Sequence, residues 1–137
     1  STLPQTLLHG DTHFGNTYRL PNGVAGLLDW QLMVRGYAMH DVSYIIATGL
    51  SIEDRRGSER DLLAYYLDRL SQEGVANAPS MDTVWNEYRH MMVWAVYIGW
   101  LTTPVVNYGW EINVMNHLRL TTAYEDLETA KLVDASI

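Results

Sequence analysis

Asn22-Gly23, set between Thr17-Tyr18-Arg19-Leu20 and Val24-Ala25-Gly26-Leu27-Leu28, restricts the fold of this chain more than any other pair of residues. Two successive residues that tolerate positive φ, flanked by apolar and β-branched side chains, are the strongest short-range hairpin signal. Read as a two-residue turn, the pair sets Tyr18 opposite Leu27 and Asn16 opposite Asp29. Thr6-Leu7-Leu8 is a further strand-like run, so residues 6–30 are expected to form β structure. Beyond Trp30 the pattern turns helical. A short apolar helix is predicted from about Asp41 to Leu50. Ser51, with Glu53 and Asp54 behind it, caps a second helix that runs to about Glu73 and is closed by Gly74. Leu62, Leu63, Tyr66, Leu67 and Leu70 form its apolar stripe. Ala78-Pro79-Ser80 reads as a loop, after which Ser80 or Asp82 caps a long helix ending before Pro104. The second half of that helix is apolar on all faces, which predicts a place at the centre of a helical cluster. A last helix is expected over residues 111–131, with fraying from Asp134. The expected fold class is α+β, mostly α, a small β hairpin layer packed with about four helices in one domain over residues 1–137.

A chain of 137 residues that is 47% hydrophobic and 18% charged can bury one core and is not a disordered segment. Nine Lys and Arg against sixteen Asp and Glu give a net charge of −7, and the basic residues form no run. Nucleic acid and anionic membranes are therefore not expected partners. The absence of Cys removes disulfides, thiolate-held zinc and thiol catalysis, and it fits a reducing, cytoplasmic setting. The first residues lack a basic start followed by an apolar run, as a secretory signal would have. The longest apolar stretch, residues 91–101, is far short of the roughly 20 residues of a membrane span.

The densest cluster of chemistry is His9-Gly10-Asp11-Thr12-His13-Phe14-Gly15-Asn16, followed by Leu27-Leu28-Asp29-Trp30-Gln31. Across the hairpin, Asn16 and Asp29 would have Cβ atoms about 5 Å apart. An amide oxygen and a carboxylate at that spacing suit one hard divalent cation such as Mg²⁺. Asp11, on the loop entering the hairpin, faces the same place. A carboxylate beside a metal, but not consumed by it, suits taking the proton of an alcohol that attacks a phosphoryl group.

At these residues the chain resembles the aminoglycoside phosphotransferase and choline-kinase-like superfamily, whose catalytic loop reads His-Gly-Asp-x-His-x-x-Asn. Leu28-Asp29-Trp30 is similar to the strand end that carries that family's metal-binding Asp. Residues 35–43, Arg-Gly-Tyr-Ala-Met-His-Asp-Val-Ser, resemble its Gly-x-x-x-x-Asp-Leu-Ala segment. Asp29-Trp30-Gln31 and Glu53-Asp54-Arg55-Arg56 lean towards its ecdysteroid-kinase-like and bacterial relatives. The resemblance covers residues 7–50 and implies a protein-kinase-like carboxyl-terminal lobe. It implies Asp11 as catalytic base, Asn16 and Asp29 as magnesium and nucleotide-binding ligands, ATP as co-substrate and a small-molecule alcohol as acceptor. It also implies Asp41 as a brace of the catalytic loop and His9 as a packing residue beneath it. The family's amino-terminal lobe has no counterpart here: no G-x-G-x-x-G occurs, and Lys131 is the only Lys. With a start at Ser1 rather than Met, the expectation is a carboxyl-terminal lobe alone, inactive in isolation, with an exposed face open to the absent lobe or to self-association.

Plainer readings stand beside these. His13 reads as a buried hydrogen-bonding residue in preference to a catalytic one, and Asp41 as a helix N-cap as readily as a brace. Trp85, Tyr88, Trp94, Tyr97, Trp100, Tyr108 and Trp110 read as core, or as walls of an acceptor pocket. Five Trp and nine Tyr against one Phe favour a partly wet pocket. His9, Asp11 and His13 on alternate positions form a zinc-hydrolase alternative. A third reading is a non-catalytic binding or structural module that keeps this lobe. The acidic balance would suit a cationic acceptor.

Overall fold

The β-patterned segment folds as two antiparallel pairs, β1 (Gln5–Leu8) with β4 (Val34–Tyr37) and β2 (Thr17–Arg19) with β3 (Ala25–Leu27), in a computed structural model that describes residues 4–134. Pairing of Leu8 with Val34 makes everything between them an excursion from one two-stranded ribbon. The residues after Leu8 and those before Val34 are thereby brought side by side, and both stretches carry site candidates. Strand β4 corrects the expectation of helix beyond Trp30. Arg35-Gly36-Tyr37 has no strong strand pattern of its own and is held extended by a partner some thirty positions away.

The hairpin exists, but its register differs from the expected one. Leu20 N donates to Val24 O at 2.8 Å and Gly23 N to Leu20 O at 2.9 Å, so the turn holds three residues, Pro21-Asn22-Gly23. Pro21 supplies the fixed φ that starts such a turn, and Gly23 closes it at φ +87°. Tyr18 therefore lies opposite Gly26, and Leu28, not Asp29, donates to Asn16 O, at 2.7 Å. Asp29 stands one residue beyond the paired position.

Six helices follow: α1 (Met39–Gly49), α2 (Ile52–Gln72), α3 (Met81–Thr102), α4 (Val105–Tyr108), α5 (Trp110–Asp126) and α6 (Thr129–Asp134). The result is an α+β fold, mostly α. Ser51 and Ser80 each accept the N–H three residues on, from Asp54 at 3.0 Å and Thr83 at 3.2 Å, which fixes the starts of α2 and α3. Helix α3 is central and touches α1, α2, α5 and α6, burying Val84, Tyr88, Met92 and Ala95. On α2 the expected stripe is centred on buried Leu63, with Leu62 at its exposed margin.

Two expectations fail here. The apolar second half of α3 is not enclosed: Met92, Ala95 and Gly99 are buried and Val96 and Ile98 pack against the core, while Tyr97, Trp100 and Leu101 are exposed. A Cβ on Gly99 would lie 2.2 Å from Leu120 Cδ1, so close approach to α5 uses up that one narrow face. The last helix is also two helices. Glu128 takes φ +52°, with Arg89 Nε donating to Leu127 O at 2.7 Å and Thr129 Oγ1 to Arg89 O at 3.0 Å. Asp134 still belongs to α6; the rest of the tail expected to fray, residues 135–137, lies outside the described residues, as do residues 1–3. Among the described residues, no helix is long and apolar enough to cross a membrane.

Candidate active site

The loop between β1 and β2 is held from below by the first turn of α1. Asp41 accepts His9 N–H at 2.6 Å through Oδ2 and Gly10 N–H at 3.0 Å through Oδ1, and its backbone carbonyl accepts Thr12 Oγ1–H at 2.8 Å. It is not the N-cap, since α1 begins at Met39 behind Ala38. Gly10 takes φ +84°, and a Cβ there would lie 2.4 Å from Leu32 O. Only glycine allows the loop to turn and touch the Trp30–Leu32 segment at once.

Above this floor Asp11 is held on two sides. Asn16, buried at the end of the Phe14–Asn16 3-10 turn, donates Nδ2–H to Asp11 O at 3.0 Å and to Asp11 Oδ2 at 3.2 Å. His13 accepts Gly15 N–H on Nδ1 at 3.1 Å, which leaves its proton on Nε2, 3.6 Å from Asp11 Oδ2. His13 thus caps a turn and faces the carboxylate.

His9 ties this loop to Asp29. Its Nδ1 accepts Asp11 N–H at 3.2 Å, so Nε2 carries the proton and donates to Leu28 O at 2.6 Å. With both ring nitrogens taken, the zinc reading fails, and no group of three or more His, Cys, Asp or Glu among the described residues is placed to hold a metal ion. Trp30 stacks edge-on to the His9 ring at 4.8 Å and donates Nε1–H to Leu27 O at 3.1 Å. Asp29, between two pinned neighbours, adopts φ +58°, ψ +62°, and its carboxylate makes no capping bond. A left-handed non-glycine residue costs about 1–2 kcal/mol and persists where the surroundings over-determine it. With Leu28 rather than Asp29 opposite Asn16, the two side chains are not set across from one another as a two-residue turn predicts.

Asp11 opens onto a cleft of about 710 Å³ whose far walls are α3, α4 and α5. Asn113 Nδ2 donates to Thr103 O at 2.5 Å and Asn116 Nδ2 to Thr103 Oγ1 at 3.2 Å, which fastens the α3–α4 corner to α5. Tyr44 of α1 is a buried part of the lining, where burial pushes its phenol up and a bond with Thr102 opposes the shift. A smaller cavity of about 230 Å³, next to Trp94 and His40, shares Asp11 with this cleft. Burial lowers the His40 pKa, against the pull of Asp41.

Neither Asn16 nor Asp29 lines the cleft: Asn16 lies under Asp11, and Asp29 is exposed on the hairpin side. Of the aromatic group, Tyr108 lines the cleft and Trp94 the smaller cavity, while Tyr88 is core and Trp85 carries the Arg60 guanidinium 3.7 Å over its ring. Thr48, Asn116 and Arg119 were not singled out in the sequence. Only the i, i+3, i+4 and i+7 spacing of Ile112, Met115, Asn116 and Arg119 would have marked one helical face. Arg55 and Arg56 bind Asp126 of α5, far from Asp11 in the fold.

The sequence model of the phosphotransferase enzyme family (APH) matches residues 1–81, which takes in the loop, Asp29, Asp41, α1 and α2. No curated protein and no solved structure matches the chain.

Proposed function

The chain belongs to the phosphotransferase enzyme family, and from that premise we propose that it is the catalytic lobe of an ATP- and Mg²⁺-dependent enzyme that phosphorylates a hydroxyl group of a small molecule. The observation that carries the reading is the Asp11 carboxylate, presented to an open cleft by a loop whose N–H groups Asp41 holds. Asp11 takes the proton as the acceptor oxygen attacks the γ-phosphorus and ADP leaves. Asn16 fixes the carboxylate, and His13 Nε2–H faces it from 3.6 Å.

The donor chemistry fits magnesium. Asn16 spends its amide nitrogen on Asp11, which leaves its side-chain oxygen to pair with the Asp29 carboxylate as hard oxygen ligands. When bound, the ion supplies neutralisation of the phosphate charge. Covering of the phosphates falls to an amino-terminal lobe of the protein, because these 137 residues contain neither a glycine-rich phosphate loop nor a strand Lys. Exposed Leu28, Trp30, Leu32, Met33 and Val34 give such a lobe an apolar face to rest on, or a second copy in its absence. The lack of Cys supports a cytoplasmic location.

In the full-length enzyme, Asp11→Asn should cut turnover about 10²- to 10⁴-fold with nucleotide affinity nearly unchanged; steady-state kinetics with near-normal turnover would remove Asp11 as base. Asn16→Ala and Asp29→Ala should each raise the magnesium requirement in a metal titration. The double variant should be little worse than the worse single, because groups that share one ion act as a unit. Additive losses would separate the two residues.

A further inference from the structure

The cleft does not carry the charge of the molecule. Of the acidic side chains described, Asp11 alone lines it, although the chain has sixteen Asp and Glu. The smaller cavity adds only Asp41, whose carboxylate is taken by the His9 and Gly10 amides. A polycationic acceptor would need several carboxylates around it to offset its desolvation, and these walls offer one, reserved for the reacting hydroxyl.

What the cleft offers instead is Arg119. It stands on the same face of α5 as Ile112, Met115 and Asn116, partly buried, with Nη1 donating to Thr48 O at 2.6 Å. A guanidinium has five N–H donors in a planar fork. Among the described residues no carboxylate pairs with Arg119, nor with Arg19, Arg35 or Arg60, whereas Arg55, Arg56, Arg69 and Arg89 have acidic partners; of the four without one, Arg119 alone lines the cleft. Its positive charge is tethered by one carbonyl and lines the cavity, and a guanidinium so placed suits an anionic group. The same walls carry Ile98, Leu101, Ile112 and Met115, which give the cleft a largely apolar surface beside the hydroxyls and amides of Thr102, Asn107 and Tyr108. On the other side of Asp11 the smaller cavity is closed by Leu8, Val34 and Trp94.

We infer that the acceptor is an alcohol with an apolar body and a single anionic group, the anion held by Arg119 and the hydroxyl presented to Asp11; this rests on the phosphotransferase reading above. Arg119 is then a specificity-determining residue, and polycations are excluded.

The test uses the full-length protein with ATP and four acceptor classes: ω-hydroxy fatty acids, their methyl esters, the matching amino alcohols, and kanamycin as a polycation. Transfer is expected to be best to the hydroxy acids. Arg119→Gln should raise their KM about 10- to 100-fold with kcat within a few-fold, and leave the esters within twofold. Arg119→Lys, which keeps the charge without the fork, should recover part of the loss and guards against a folding defect. Preference for an amino alcohol, an ester or kanamycin, or a hydroxy-acid KM unmoved in Arg119→Gln, overturns the inference and leaves the phosphotransferase reading intact. Saturation-transfer NMR with 12-hydroxydodecanoate reads the anion site without any turnover. Binding that Arg119→Gln abolishes, with no transfer to any class, upholds the site and overturns the phosphotransferase reading. Neither binding nor transfer overturns both.

Discussion

Asp41 has two carboxylate oxygens and meets two loop N–H groups with them, from His9 and Gly10. An Asn at this position keeps one acceptor and turns an NH₂ towards the other donor, leaving a part-buried N–H unpaired at a cost of about 1–3 kcal/mol. Asp41→Asn should therefore lower the melting temperature and reduce kcat about 10-fold or more through a displaced Asp11, with KM for ATP little changed. Kinetics indistinguishable from the parent would show that the loop holds its shape without this brace. At this scale the sequence was informative where the chemistry is local. His9 to Asn16 lie within eight positions, and the side chains that support Asp11 come from that same stretch. The left-handed backbone at Asp29 was not legible, because one of the bonds that pin its neighbours, His9 Nε2 to Leu28 O, spans nineteen positions and joins the loop after β1 to the end of the hairpin.

Between elements, α2 and α5 are joined by a clasp of charges. Buried Arg55 donates to Glu59 at 2.7 Å and to Asp126, and Arg56 holds the same Asp126 at 2.7 and 2.8 Å, while Tyr88 Oη–H donates to Glu59 at 2.9 Å. The Arg56 bond, with Arg55 behind it, holds the Asp126 carboxyl below the usual carboxylate range against the opposing effect of burial. A carboxyl with its folded pKa depressed contributes stability above its unfolded pKa, about 3.9, and loses it as pH falls through the folded value. Asp126→Asn should accordingly destabilise by about 1–3 kcal/mol near pH 7, and the difference from the parent should shrink as the pH drops below 4. Thermal melts by circular dichroism across that range check both parts, and a gap that persists at pH 2 would mean packing, not charge, is at stake. The helices themselves were readable, since Ser51 and Ser80 cap where their hydroxyls predict. The turn was misjudged because Pro21 ahead of Asn22-Gly23 favours three residues over two. Strand β4 and the break at Glu128 follow from distant partners, Leu8 in one case and Arg89 in the other, and no local pattern announces either.

Apart from Asp11, the acidic side chains described lie outside the cleft, and the parts that would hold a nucleotide from above are not among these residues. On the proposed reading Asn16 and Asp29 would supply two oxygen ligands, and magnesium held by two protein ligands without phosphates stays mostly hydrated and weakly bound. Kinase-type catalysis also needs a loop over the phosphates and a Lys against them. Lys131, the only Lys, sits on α6 in an ion pair with Glu128. The chain nevertheless has what it needs to hold its shape, with α3 packed between α1 and α5 and a core from Leu63, Val84, Tyr88, Met92 and Leu120. The 137 residues expressed alone should give a helical far-ultraviolet spectrum and a cooperative melt, yet no tight ATP signal by calorimetry with magnesium present and no measurable phosphate transfer. Their exposed Leu28, Trp30, Leu32, Met33 and Val34 should promote association, visible as a concentration-dependent sedimentation coefficient. Submicromolar ATP affinity in this chain would place the nucleotide against surfaces other than Asn16 and Asp29, and would undo the division of labour between two lobes on which the assignment of those residues depends.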